Sequence, residues 1–348
     1  MAAKEINNRL DEIRAMALNI YMEQSAVRDG VTAEEVKGIL LGMASGQETL
    51  LGYFRRFIRN FEKRVGINRT VGSLRAYSNA YSHIERFLQA QYKLSDIPFS
   101  ALDRSFINKY DLYLRTERNL APGTIINLTV QLKTIVGEAI ADGIITASPF
   151  MGYEPVRPKH VQKYLTAEEL HRIMTTPLHR QTLYHVRDMF LFSCFTGIPY
   201  GDMRLLTKDN LCLAEDGIWW IKSARQKTKI EFEIPLLDLP LQILKKYSGT
   251  APGDKLLPMY CNSTLNLYLK EIARICHIDR PLVFHAGRHT YATEITLSHG
   301  VPLETVSRML GHSQIETTQI YAKVTDEKID TDTKALNRKI SERFSVVI

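Results

Sequence analysis

Five polar side chains have types and spacing that could act together. They are Lys227, then His285 and Arg288 in HAGRHTYAT, then His312 and Tyr321 in LGHSQIETTQIYAKV. A tyrosine hydroxyl is an oxygen nucleophile. A lysine, an arginine and two histidines supply positive charge and protons where a phosphodiester becomes more negative in its transition state. None of the five requires a metal or a nucleotide, so the expected cofactor set is empty.

Each residue alone has an ordinary reading. Tyr321 is one of 16 tyrosines, and a packing aromatic is the default. Lys227 reads as a solvated turn lysine, and an H-x-x-R pair is common. His285 and His289 are four apart, as zinc ligands on a helix are, but no glutamate follows the first and no third ligand is evident. A metal site is therefore not expected. What raises the five above these defaults is their occurrence together and in order.

The elements that must position them can be read locally. His285 and Arg288 share one face near the start of a helix running towards Gly300. Gly311 reads as a helix end, and Ser313 with Glu316 as a capping box opening the next helix. That reading puts His312 in the joint and Tyr321 about two turns along the second helix. GIWWIKS and KIEFEIPLL read as strands, the second with period-two alternation, joined by a hairpin turn at Ala224–Thr228 that carries Lys227.

Upstream, the chain reads as helical. Helices are expected over 4–28, over 33–43 behind a Thr32–Glu35 capping box, over 47–65, and in three further segments ending at Gly143. The last opens with Pro122, as a first-turn proline should. Residues 47–150 make a helical bundle, with 1–46 a helical segment before it. Residues 151–163, with two prolines and several basic side chains, read as a linker. Thr166 and Glu169 form another capping box that opens the second domain, 164–348.

Composition narrows the class. The 348 residues suit two domains; 45% are apolar and 24% charged, ordinary for a globular protein. A net charge of +7, with a pI near 9.1, points towards a polyanionic partner. Cys194, Cys212, Cys261 and Cys276 fit no zinc or C-x-x-C pattern and read as free thiols. No signal peptide or membrane span is evident, so a cytoplasmic location is expected.

With these motifs in view, the chain resembles the tyrosine recombinase (phage integrase) family over roughly residues 47–325. The family's TG-x-R-x-x-E segment corresponds to CFTGIPYGDMRLL, its hairpin lysine to Lys227, its H-x-x-R-H-T to His285–Thr290, and its L-G-H with a tyrosine nine residues on to His312 and Tyr321. The FTG-x-x-Y-x-D variant is similar to integrases of Bacteroides-type conjugative transposons. The resemblance implies a mainly α fold with a small antiparallel sheet, in which a SAM-like core-binding domain and a mixed α/β catalytic domain form a C-shaped clamp on DNA. It implies a site-specific recombinase working through a 3′-phosphotyrosyl intermediate and a Holliday junction, without metal or ATP. Four protomers on double-stranded DNA, possible DNA-bending accessory proteins, and a C-terminal tail that docks on a neighbouring protomer are implied likewise. The arm-binding domain usual in this branch is expected to be absent or truncated.

One position departs from the pattern. The family's first arginine falls on Pro199, which offers no side-chain or backbone donor. Asp202 keeps the acidic position. Arg187 and Arg204 are the nearest arginines, and Arg187 is the expected replacement. A catalytically impaired DNA-binding protein, a topoisomerase that nicks and reseals, and a metal-dependent hydrolase are the other functions in play.

Overall fold

Segments 50–62 and 104–116 each place large apolar side chains on one face and charges on the other, so each becomes a helix with one side to bury. A computed structural model describes residues 2–26, 30–31, 33, 36, 48–156, 164–321 and 326–341. The capping box expected at Thr32 and Glu35, most of the 33–43 helix, residues 157–163 of the linker and the apolar end at 344–348 lie outside the described residues. The chain divides into two compact units, residues 1–160 and 161–348.

The first unit contains helices α1 (Ala2–Ser25), α2 (Leu50–Glu62), α3 (Val71–Phe87), α4 (Arg104–Thr116) and α5 (Pro122–Ala141). Its core is aromatic. Phe87 is fully buried, and its ring centroid lies 5.0–5.6 Å from those of Tyr92, Phe106, Tyr110 and Tyr113. Several ends follow local rules. Thr70 and Asp103 accept the N–H groups of Ser73 and Phe106, and Pro122 opens α5. The start of α2 instead depends on a distant residue. Asp96 accepts the N–H groups of Leu51 at 2.8 Å and Gly52 at 3.0 Å, as an N-terminal carboxylate should.

The second unit mixes helices with one sheet. The Thr166–Glu169 capping box opens α6 (Ala167–Thr175). The central α7 (Gln181–Thr196) is mostly buried and is followed by the short α8 (Tyr200–Met203). Strands β1 (Leu211–Leu213), β2 (Trp219–Ala224) and β3 (Glu231–Pro235) form an antiparallel sheet in that order. Ile221 faces Ile234 across β2 and β3, and both are buried. The turn between them is longer than expected, running from Arg225 to Ile230. The helices α9 (Asp238–Lys246) and α10 (Asn262–Ile275) precede the site segments.

Those segments are α11 (Ala286–Thr290), which continues through a π-helical turn at Tyr291–Thr296 to a short 3₁₀ turn ending at Gly300; then α12 (Leu303–Leu310) and α13 (Glu316–Gln319). The last helix is α14 (Asp326–Ser341). One expectation fails here. Ile315, not Ser313, precedes α13, and no side-chain cap forms; α13 is only four residues long. Tyr321 therefore sits just beyond a single helical turn, where its N–H donates to the Thr318 carbonyl at 3.0 Å. No described helix is long and apolar enough to cross a membrane.

Candidate active site

Arg288 is the hub. It lies on α11, only 3% exposed. The helix comes this close to α7 because residue 287 is glycine: a Cβ there would stand 2.8 Å from Ser193 Oγ and 3.3 Å from the Cys194 backbone nitrogen. Arg288 Nη1 donates to the Gly197 carbonyl at 2.8 Å. Nη2 donates to the Leu310 carbonyl at 2.6 Å and faces His312 Nε2 at 2.9 Å. Burial and the nearby Arg225 charge bring its pKa down to about 10, so it remains a cation at neutral pH.

A guanidinium has only donors, so His312 Nε2 must accept. The proton of a neutral imidazole then sits on Nδ1, which lies 2.7 Å from the Oγ1 of fully buried Thr318. Burial first, and then the charges of Arg288 and Arg225, hold the His312 pKa at about 4. Without a substrate, His312 is therefore a neutral acceptor towards Arg288.

Tyr321 is 7% exposed and packs with Tyr291, Val306 and Leu310. Its ring stacks on His312 with centroids 6.3 Å apart and meets the edge of His289 at 5.0 Å. Burial raises its pKa, while Arg288, by charge and hydrogen bonding, and Arg225, by charge, pull it back down. His289 in turn lies 5.0 Å from His285. His285 lines a cavity of about 360 Å³ with Pro199, Tyr200, Gly201, Asn262 and Asn266.

The structure thus brings Arg288, His312 and Tyr321 together and connects His285 to them through His289. Sequence reasoning considered His289 only as a metal ligand. Among the described residues, no group of three or more His, Cys, Asp or Glu is arranged to hold a metal ion. Lys227 is exposed on the β2–β3 turn. Asp202 anchors that turn: its Oδ1 accepts the Gln226 N–H at 2.9 Å, and its Oδ2 lies 2.8 Å from Arg225 Nε.

Arg187 is not where it was expected. Its Nη1 donates to the Met174 and Thr176 carbonyls at 3.2 and 3.4 Å, and its guanidinium lies over the Tyr184 ring at 4.7 Å. The end of α6 thus holds Nη1, which argues against Arg187 as the replacement for an arginine at position 199. Arg204 is exposed at the end of α8. The arginine at the site is Arg225, which sequence reasoning passed over. A signal for it existed. With period two along β2, Ile221, Ser223 and residue 225 fall on the inward face.

Residues 163–328 match the phage integrase family, and residues 49–155 match the phage integrase SAM-like domain. Tyrosine recombinase XerD of Listeria monocytogenes is 25% identical over 273 residues, covering 74% of this chain and 89% of that protein. The XerD of Staphylococcus saprophyticus is 26% identical over 297 residues, covering 81% and 96%. Among solved structures, the Tn1549 transposon integrase in complex with transposon right end DNA superposes with a TM-score of 0.64 at 18% identity, over 83% of this chain and 99% of that one. A lambda integrase dimer bound to a core site gives 0.64 at 18% identity, over 80% and 100%. With its helical bundle, its three-stranded sheet and a buried arginine bonded to a histidine beside a tyrosine, this chain belongs to the phage integrase family of tyrosine recombinases.

Proposed function

We propose that the chain is a site-specific DNA recombinase in which Tyr321 attacks a backbone phosphate. The observation that carries this reading is the convergence of Tyr321 and His312 on the buried Arg288 guanidinium. The Tyr321 oxygen forms a bond to phosphorus, and the bond to the 5′-oxygen breaks. The product is a 3′-phosphotyrosyl link and a free 5′-hydroxyl. Arg288 and His285 stabilise the non-bridging oxygens as charge builds. The phenol must lose its proton during attack, and the charge and hydrogen bond of Arg288 favour the oxygen that remains. Lys227 donates a proton to the leaving 5′-oxygen. The phosphotyrosyl bond conserves the energy of the broken one, so a second 5′-hydroxyl can attack it without ATP.

Strand exchange of this kind proceeds through a Holliday junction. It calls for several protomers on double-stranded DNA, and four is the number we infer. A lambda integrase tetramer has been solved bound to a Holliday junction, with 17% identity to this chain and a TM-score of 0.64. DNA-bending accessory proteins and a cytoplasmic location fit the same reading. The excess of basic residues supports a polyanionic substrate, with a log–log salt slope of about −0.9 per contacted phosphate.

The test is a nicked suicide substrate, from which the cleaved 5′ fragment diffuses away. Wild-type protein should accumulate covalent DNA visible on a denaturing gel, in EDTA as well as without it. Tyr321→Phe should bind the same DNA and give none. Covalent product from the Phe variant would move the nucleophile elsewhere. Binding without covalent product from the wild type would favour a DNA-binding protein impaired at Pro199.

A further inference from the structure

We propose that His289 is a positioning residue for the nucleophile: its ring holds the Tyr321 phenol ready for attack and ties it to His285. The proposal rests on the recombinase reading above. The backbone alone gives Tyr321 a slight seat. It follows α13, which is only four residues long, and its N–H reaches back to the Thr318 carbonyl at 3.0 Å. A tyrosine side chain turns about two bonds, so a single backbone bond does not fix where its oxygen stands. The neighbouring side chains must do so.

Two of those neighbours are imidazoles. His312 stacks on the phenol with the planes 9° apart, and His289 meets it at 67° with centroids 5.0 Å apart. Inclined rings at this distance attract beyond the area they bury. His289 also meets His285, again at 5.0 Å, with the planes 89° apart. The two histidines are four residues apart and so are neighbours on one helical face. One half-buried ring therefore stands against both the nucleophile and a histidine that serves the phosphate. Its own helix is firmly held. Arg288, one residue earlier, is bonded to the Gly197 and Leu310 carbonyls, and Gly287 lets α11 lie close against α7.

Positioning of this kind has a kinetic signature. Holding a free phenol in place reduces the freedom lost on the way to the transition state, and adds nothing once the phenol is bonded to phosphorus. Cleavage starts from the free phenol and needs the seat. Rejoining starts from the phosphotyrosine: a 5′-hydroxyl oxygen bonds to phosphorus, the bond to the Tyr321 oxygen breaks, and the phenol regains its proton. There the covalent link already fixes the oxygen. A residue that stabilised the charge of the transition state would act equally in both directions.

The test times both directions in His289→Ala. Cleavage is followed on the nicked suicide substrate. The purified covalent complex is then given an oligonucleotide ending in a 5′-hydroxyl, and rejoining is followed. His289→Ala should cleave about a hundredfold more slowly, the cost of a misplaced reacting atom, yet rejoin within about threefold of the wild-type rate, with DNA affinity unchanged. The ratio of the two rates is read within one variant, so a loss of folded protein cancels. His289→Phe keeps a ring and removes the nitrogens; it should return cleavage to within about tenfold of the wild type, with the same pH dependence. Wild-type cleavage by the Ala variant would overturn the proposal. So would equal slowing in both directions, which would make His289 a stabiliser of transition-state charge. A Phe variant as slow as Ala would overturn it too, because the nitrogens rather than the ring would then matter. If the wild type itself forms no Tyr321-dependent complex, the recombinase reading fails, and this proposal falls with it.

Discussion

The two units bury different kinds of side chain. In the helical bundle the core is aromatic and aliphatic, and its buried polar residues are few, among them His83 and Thr129. In the second unit an apolar core surrounds α7, but Asp188, Ser193, Thr196, Asp202, Arg288, Thr290, Thr296, Ser307 and Thr318 are buried as well. A buried charge must be paired or hydrogen-bonded, so each one constrains its neighbours. Asp188 is met by Lys246 at 2.5 Å and the Tyr247 hydroxyl at 2.9 Å; Arg288 is met by two carbonyls and a histidine. The first unit is organised by filling space, the second by satisfying polar atoms in one arrangement.

Substitutions can break or sharpen this contrast. Phe87→Ala should have the largest effect on folding, costing about 3–5 kcal/mol, because it empties the centre of a ring cluster. Urea denaturation followed by circular dichroism measures it. Cleavage per folded molecule should be nearly unchanged; a loss as deep as that of Tyr321→Phe would end the division between the units.

Gly287→Ala should destabilise by about 1–3 kcal/mol, since the added methyl meets Ser193 and the α7 backbone. Here stability and cleavage should fall together, because the same contact seats Arg288. An unchanged cleavage rate in a destabilised variant would mean that the seat is not rigid.

Thr318→Val should do the reverse of Phe87→Ala. It removes the acceptor for His312 Nδ1–H, so the imidazole is no longer held as the tautomer that accepts from Arg288. Single-turnover cleavage should slow about tenfold, equivalent to about 1.4 kcal/mol in barrier height. An unchanged rate would show that the tautomer needs no second anchor.

The smallest effect is one of acidity. The His312 pKa is lowered in the folded chain, to about 4, from an ordinary 6.5. The unfolded chain therefore binds more protons between these values, and the contribution of His312 to stability is lost as pH falls from 6.5 towards 4. His83 and His185 are lowered too, so the wild type should lose stability through several groups. His312→Gln should flatten the pH dependence only in part. An identical slope in the variant would mean that His312 is not held neutral.

The bundle was the more legible half. Its described helices appear within a few residues of where their periodicity puts them, and Pro122 sits at the end it signals. The signals are local: an apolar face, a cap, a proline. Strand β1 escaped notice because three residues are too short for alternation to register. The Ser313–Glu316 pattern has the right spacing but forms no cap, because the chain turns at Gln314–Ile315 instead and α13 starts from Ile315. The π turn at Tyr291–Thr296 gave no local sign either, although it follows directly on the helix that carries Arg288.

At the site the sequence was informative about chemistry and silent about assembly. Lys227, His285, Arg288, His312 and Tyr321 could be picked out by type and order, because a nucleophile, cations and proton carriers are recognisable one by one. Which arginine joins Arg288 could not be read along the chain. Arg187 is nearer in sequence to position 199 than Arg225 is, but its Nη1 serves the end of α6. Arg225 is brought in by a hairpin whose register sets the side chain inward, past a glycine that leaves it room. The sequence by itself determined the helices, the reacting residue types and the family. The tertiary structure decided the partner of Arg288, the tautomer of His312 and the place of Tyr321. Each of these depends on distances between atoms far apart in the chain, and a side chain's identity does not encode which buried charge it will face.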